Sequence, residues 1–287
     1  MPDRTTFTLA GSGRVAEIAA DPLVPGAWVL SIDGAEQSHV DLGDPGDLFY
    51  DYVRRIGAAI DHLATPGRPL RTVHLGAGAL TLARYLQATR PGSEQLAVEF
   101  ERGLLDEVTA RLPLPEGTRL TVREGDAAAV VTGLVSGSVT GLAAGLAAGP
   151  VTGAGEWAGS ADLVIDDLYR GITTPPHLTT AEWYADTSRL LAPGGVLVVN
   201  IADDDGLPGL RSRLAALAPS LPHRLVLGPT SVLADARAGN AVVLASRDPA
   251  VLALADDLRQ AGPHPSAALD ARHFDSPLDD IPTPKGR

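Results

Sequence analysis

The chain has 287 residues, 45% hydrophobic and 20% charged, enough to bury one ordinary core and a smaller one. Its 35 acidic and 23 basic residues leave a formal charge of -12, with Lys285 the only lysine, a balance that opposes nucleic-acid binding. The lack of cysteine excludes disulfides, thiol nucleophiles and Cys-ligated metals, and residues 1–5 lack the apolar core of a secretion signal, so a cytoplasmic location is expected.

Residues 1–46 alternate short apolar runs with turn signals. Strands are predicted at 6–9, 15–19, 27–32 and 37–42, and Asp33-Gly34 suits a two-residue hairpin turn, so a small antiparallel β unit is expected. Residues 47–69 switch to helical period, with Leu48, Tyr52, Ile56, Ala59 and Leu63 near one face, and form a linking helix that ends at Thr65-Pro66-Gly67.

Across 70–262 strand and helix patterns alternate. Strands are expected at 71–75, 95–100, 120–123, 161–165, 195–200, 223–227 and 241–246, with helices at 81–89, 104–112, 180–191, 210–217 and 251–261. Short apolar strands between helices imply a largely parallel sheet covered on both faces. No charge occurs from 127 to 155. The Gly/Ala-rich stretch near 130–158 reads as a flexible or surface-packed insertion, with an oligomer contact or a membrane span as alternatives. The proline-rich residues 263–287 read as an irregular tail.

The first strand of this domain runs into Gly76-Ala77-Gly78, where missing side chains let backbone approach a ligand. Glu99 closes the next strand, about 20 residues on, where a carboxylate can accept both ribose hydroxyls. Asp126 and Ala127 follow the third strand and offer an acceptor and an amide to adenine; a helix cap is the competing reading of Asp126. Thr81 stands where a dinucleotide fingerprint has its third small residue, which favours a mononucleoside ligand. The domain thus reads as a class I S-adenosylmethionine-dependent methyltransferase-like (Rossmann-like) α/β fold with a seven-stranded sheet.

The fourth strand ends at Asp166-Asp167-Leu168-Tyr169-Arg170-Gly171. Adjacent side chains on an extended segment point oppositely, and Asp167 is taken to face the site as a base or an orienting charge for an attacking amine. Tyr169 is a second catalytic candidate, lining the acceptor site, with a structural role as its alternative. The loop through 172–180 is placed to cover the site, and His177 and Asn200 are further candidates. No grouping has metal-ligand spacing, so no metal is expected.

From Gly26 to Ser246 the chain resembles the spermidine synthase (polyamine aminopropyltransferase) family. Asp33, Gly34, Gln37 and Ser38 match its D-G-x-x-Q-S/T hairpin, and 50–52 lies at an aromatic stretch. Of its G-G-G-D-G-G turn and following arginine, Gly76, Ala77 and Gly78 match the first three places and Arg84 the arginine, whereas Ala79 stands where the aspartate belongs and Leu80 and Thr81 replace the glycines. Asp167 matches the first aspartate of its D-S-S/T-D-P loop, and Leu168, Tyr169, Arg170 and Gly171 depart.

The resemblance implies transfer of an aminopropyl group from decarboxylated S-adenosylmethionine to an amine, with release of methylthioadenosine, in polyamine biosynthesis and as a homodimer. It implies cofactor contacts from Gly76, Ala77, Gly78, Glu99, Asp126 and Ala127, to which Gln37 and Asp166 are added. Arg170 in place of an acidic residue removes charge-assisted bonds to a diammonium and leaves the acceptor open, putrescine or another small molecule. Two alternatives stand beside it: an S-adenosylmethionine-dependent methyltransferase acting on a small molecule, and a nucleoside-binding protein without catalysis.

Overall fold

The computed structural model describes residues 3–137, 156–171 and 173–275; most of the uncharged insertion, Ile172 and residues 276–287 lie outside it. Two sheets organise the chain. Strands β1 (Arg4–Thr8), β2 (Val15–Ala20), β3 (Ala27–Ile32) and β4 (Ala35–Asp41) form an antiparallel meander in chain order. Asp33 and Gly34 both take positive φ, the conformations a type I′ hairpin turn requires.

The helix α1 (Asp51–His62) follows, burying Val53, Ile56, Ala59 and Ile60 at helical spacing. The larger domain then runs β5 (Arg71–Leu75), α2 (Thr81–Thr89), β6 (Glu94–Glu99), α3 (Leu104–Arg111), β7 (Arg119–Glu124), α4 (Ala127–Ser136), β8 (Ala161–Asp166) and α5 (Ala181–Ser188). It continues with β9 (Leu191–Asp203), α6 (Pro208–Leu217), β10 (His223–Pro229), α7 (Thr230–Leu233), β11 (Gly239–Ser246), α8 (Ala255–Ala261) and β12 (Ser266–Asp270).

The second sheet has the order β12, β10, β11, β9, β8, β5, β6, β7. Pairings from β9 to β7 are parallel, and β11, β10 and β12 add antiparallel. Alternation along the strands sends Val73, Leu75, Val164 and Val199 to one face, where Val131, Trp183 and Leu210 from α4, α5 and α6 cover them. Leu163, Ile165, Val198 and Val242 go to the other face, beneath Ile56, Leu86 and Leu258 from α1, α2 and α8. The meander packs its buried residues Ile18, Leu30 and Val40 against Leu104 and Val108 of α3.

Two elements differ from expectation. The sheet has eight strands rather than seven, because residues 266–270, expected to be irregular, pair with β10. Buried Arg55 of α1 anchors that segment, donating to Ser266 Oγ at 2.7 Å and to the Pro263 carbonyl at 2.8 Å. The beginning of the supposed insertion is instead the helix α4, whose first amides are capped by Asp126. Among the described residues, no helix is long and apolar enough to cross a membrane.

Strand order reverses between β5 and β8, and their carboxyl ends open a crevice of the kind that binds ligands in such sheets. The turn after β5 is held from behind by Arg84, buried in α2. Its guanidinium donates to the carbonyls of Ala79 at 3.1 Å, Leu112 at 2.6 Å and Pro113 at 2.7 Å. Burial lowers its pKa to about 10, still well above neutral pH. Arg84→Met leaves three carbonyls without this donor and is expected to cost about 2–4 kcal/mol in urea unfolding; a change below about 0.5 kcal/mol would show that other donors replace it.

Candidate active site

The crevice is a cavity of about 320 Å³, toward the small end of the ~300–1,000 Å³ typical of small-molecule sites. Its walls come from β4, α1, the turns after β5, β6 and β7, the loop after β8, and the ends of β9 and β11.

One half is built on the glycine turn. Gly76 has φ +82° and Gly78 φ +50°, and a Cβ on either would collide, with the Asp167 carbonyl oxygen and with Ser38 Oγ respectively. Ser38 Oγ in turn accepts from the Ala79 amide at 3.0 Å, so the meander fixes the turn. Glu99 is buried beside it: Oε2 accepts from Ala77 N at 3.1 Å and Oε1 from Glu101 N at 2.9 Å. Burial pushes this carboxyl up, partly offset by the amides of Glu101, Ala77 and Gly78. Each oxygen retains a lone pair that can accept a hydroxyl. Phe100, 45% exposed, presents an apolar face on the same wall.

Asp126 also lines this half, and it performs the helix-cap role. Its Oδ1 accepts from Ala128 N at 3.0 Å and Ala129 N at 3.2 Å, while Oδ2 meets His177 Nε2 at 2.9 Å. Burial pushes its pKa up, but the bonds from His177, Ala129 and Ala128 outweigh it and hold the carboxyl below its ordinary range. Ala127 lines the wall beside it.

The other half centres on Asp167. Asn200 Nδ2 donates to its Oδ1 at 2.9 Å, and the Tyr52 hydroxyl from α1 hydrogen bonds the same carboxylate. Burial pushes Asp167 up against these two donors. Glu36, Gln37 and Tyr50 close the far end; Tyr50 donates to Glu36 Oε2 at 3.1 Å, and the Tyr50 and Tyr52 rings lie nearly parallel with centroids 6.3 Å apart. Gln37 Nε2 is turned to the carbonyls of Ala35 and Glu36.

One expected site residue, Asp166, is placed elsewhere. Asp166, expected among the cofactor contacts, points the opposite way from Asp167, as alternation requires. Its Oδ2 accepts from Trp183 Nε1 at 3.0 Å within the α5 layer, and it does not line the cavity. Tyr169 lines the cavity, but its hydroxyl donates to the Asn200 carbonyl at 3.2 Å and accepts from Ala202 N at 2.6 Å. Burial pushes that phenol up, and the residue stands in the cavity wall, tied to β9.

Among the comparisons with known proteins, no protein-family model matches the chain. A polyamine aminopropyltransferase of Chromobacterium violaceum is 27% identical over 165 residues, covering 57% of this chain and 53% of that protein, so the match spans about half of that relative. The crystal structure of a probable spermidine synthase from Corynebacterium glutamicum superposes with TM-score 0.76 and 29% identity, covering 96% of this chain and 95% of that one. The chain is thus similar in sequence and fold to that aminopropyltransferase and that probable spermidine synthase. A spermidine synthase in complex with the transition-state analogue AdoDATO shares the fold, with TM-score 0.55 and 14% identity over 85% of this chain and 74% of that one.

Neither Asn240 nor a chemical role for Tyr52 was expected from the sequence. Tyr52 carried a signal, the aromatic stretch on the linking helix. Asn240 carried none, because its place depends on how β11 pairs with β9. Arg170 lines the cavity mouth with its guanidinium stacked over Phe100, 4.2 Å from the ring centroid.

Asp166 supplies a pH test of this geometry. Burial, the largest influence, pushes its pKa up to about 6 despite the Trp183 bond and the nearby charge of Arg213. The folded state therefore binds the proton more tightly than the unfolded chain. Stability associated with it is fully present below about pH 4 and is lost as pH rises through about 6. Wild type is expected to lose roughly 2–3 kcal/mol across that window and Asp166→Asn much less. Parallel pH profiles for the two proteins would contradict this burial.

Proposed function

We propose that the chain is an aminopropyltransferase that moves an aminopropyl group from decarboxylated S-adenosylmethionine to a small amine. The observation that carries this reading is Asp167, a buried carboxylate held by Asn200 and Tyr52 in the same cavity as the nucleoside half. A protein that only bound nucleosides would have no use for a desolvated carboxylate there.

The residues present suit the group. The glycine turn offers a backbone cradle too tight for side chains, and Glu99 keeps lone pairs for ribose hydroxyls. Ala127 and Phe100 line the wall where an aromatic base would lie. The bound sulfonium supplies an activated carbon and a neutral thioether leaving group. Asp167 accepts a hydrogen bond from the attacking amine, aims its lone pair, and takes up the proton released as nitrogen bonds carbon and the carbon–sulfur bond breaks. Burial raises the affinity of Asp167 for that proton, and Asn200 and Tyr52 keep its anion supported. Tyr50, Tyr52 and Glu36 give the acceptor an aromatic, acidic end that favours an amine over an anion.

A second reading, methyl transfer from S-adenosylmethionine, is favoured by one observation: Arg170 lines the cavity and could meet a carboxylate on the cofactor. Pairing into a homodimer, a place in polyamine biosynthesis and a cytoplasmic location belong to the main proposal.

Asp167→Asn is expected to lower methylthioadenosine release from decarboxylated S-adenosylmethionine, assayed with a panel of primary diamines and polyamines, by about 10²–10⁴-fold. Its affinity for methylthioadenosine should stay near that of wild type. Turnover equal to wild type would remove Asp167 as the base.

A further inference from the structure

The environment of Asp167 extends beyond its two direct donors. Asn200, on β9 and 3% exposed, has its Oδ1 occupied by Asn240 Nδ2 at 3.0 Å, while its own Nδ2 reaches Asp167. The register explains the contact. Asn200 pairs with Val242 and Asn240 with Ala202, so the two asparagines are diagonal neighbours on the sheet face that meets α1. Asp167 begins where β8 ends, after the pairing of Asp166 with Val199, which brings it beside Asn200. A chain of hydrogen bonds thus crosses three strands, from β11 through β9 to the end of β8.

The order of donors matters. A carboxamide can flip, and Asn200 presents either an NH2 or a carbonyl oxygen to Asp167. Its oxygen would repel the carboxylate, whereas its NH2 stabilises the anion. The Asn240 amide, by donating to Asn200 Oδ1, satisfies that oxygen in the orientation that leaves NH2 toward Asp167.

We propose that Asn200 and Asn240 are positioning residues for the transfer reaction, with Asn240 acting solely through Asn200 to hold Asp167 ionised and with one oxygen pinned. This assignment rests on the reading of Asp167 as the group that receives the amine proton. The ionisable groups around Asp167 are Asp166 beside it, Tyr52 from α1 and Tyr169 from its own loop, and none of them hydrogen bonds the side chain of either asparagine.

The test is a double-mutant cycle read by carbon NMR titration of the Asp167 carboxyl in aspartate-labelled full-length protein, its resonance assigned with Asp167→Asn. Asn200→Ala is expected to raise the Asp167 titration midpoint by about one pH unit, the effect of losing one hydrogen bond to a charged group. Asn240→Ala should raise it by a smaller amount, and the double variant should match Asn200→Ala alone. In the amine-panel assay the acid limb of kcat should move in the same direction, while affinity for methylthioadenosine stays within about twofold and shows the fold intact. If Asn240→Ala does not fold, Asn240→Ser removes the same amide donor with a smaller change in polarity. An unmoved midpoint in Asn200→Ala, or an Asn240 effect that persists in the Asn200→Ala background, overturns the assignment. An active Asp167→Asn variant overturns the functional reading itself; an inactive one with unmoved midpoints in the asparagine variants overturns only the relay.

Discussion

Where the turn after β5 passes the end of β8, there is room for hydrogen and nothing larger on Gly76, because the Asp167 carbonyl oxygen occupies the space a Cβ would need. This close approach sets the distance between the two halves of the site. The same residue that crowds the glycine turn with its backbone carries the buried carboxylate of the other half, so under the proposed function nucleoside and base are registered against one another by main-chain contact. The Asp167 amide donating to the Leu75 carbonyl at 2.9 Å reinforces it. Arg84 supports the turn from α2 and Ser38 from the meander, so both sheets and a buried cation converge on a few residues of backbone.

Charge is distributed with the same economy. The cavity is lined by five carboxylates, Glu36, Glu99, Glu101, Asp126 and Asp167, against two arginines, Arg14 and Arg170, within a chain of formal charge -12. Such a field favours a cationic sulfonium and a cationic amine over anionic ligands. The carboxylates are not equivalent. Glu99 is tied by amides, Asp126 by a helix end and His177, and Asp167 by side-chain donors on other elements. Held by side chains, Asp167 can have its environment tuned without rebuilding the backbone.

Much of this was legible in the sequence, for physical reasons. Strands β5, β6 and β8 are largely buried and centre on short apolar stretches, Leu96 to Val98 and Leu163 to Ile165 among them, while the glycine turn follows β5 directly and Glu99 closes β6. The helix α4 was legible only through Asp126 as a possible cap, because its Ala- and Val-rich residues lack a polar face and merge into the uncharged stretch that follows. Nor was β12, whose flanking prolines signal an irregular tail; its pairing with β10 and its anchor on Arg55 are contacts between residues far apart in the chain. The alternation rule separated Asp166 from Asp167, yet a cofactor role for Asp166 still had to yield to Trp183, a partner on another element. Asn240 depends entirely on the β9 and β11 register, which no local pattern encodes.

The central claim is that this crevice holds an adenosine sulfonium lacking a carboxylate, with its reacting carbon turned toward Asp167. Titration calorimetry of the full chain with decarboxylated S-adenosylmethionine, S-adenosylmethionine and methylthioadenosine tests it directly. The account predicts measurable binding of methylthioadenosine and a clear preference for the decarboxylated form over S-adenosylmethionine. Preference for S-adenosylmethionine would transfer the site to methyl-transfer chemistry, and no detectable binding by any of the three would contradict the account.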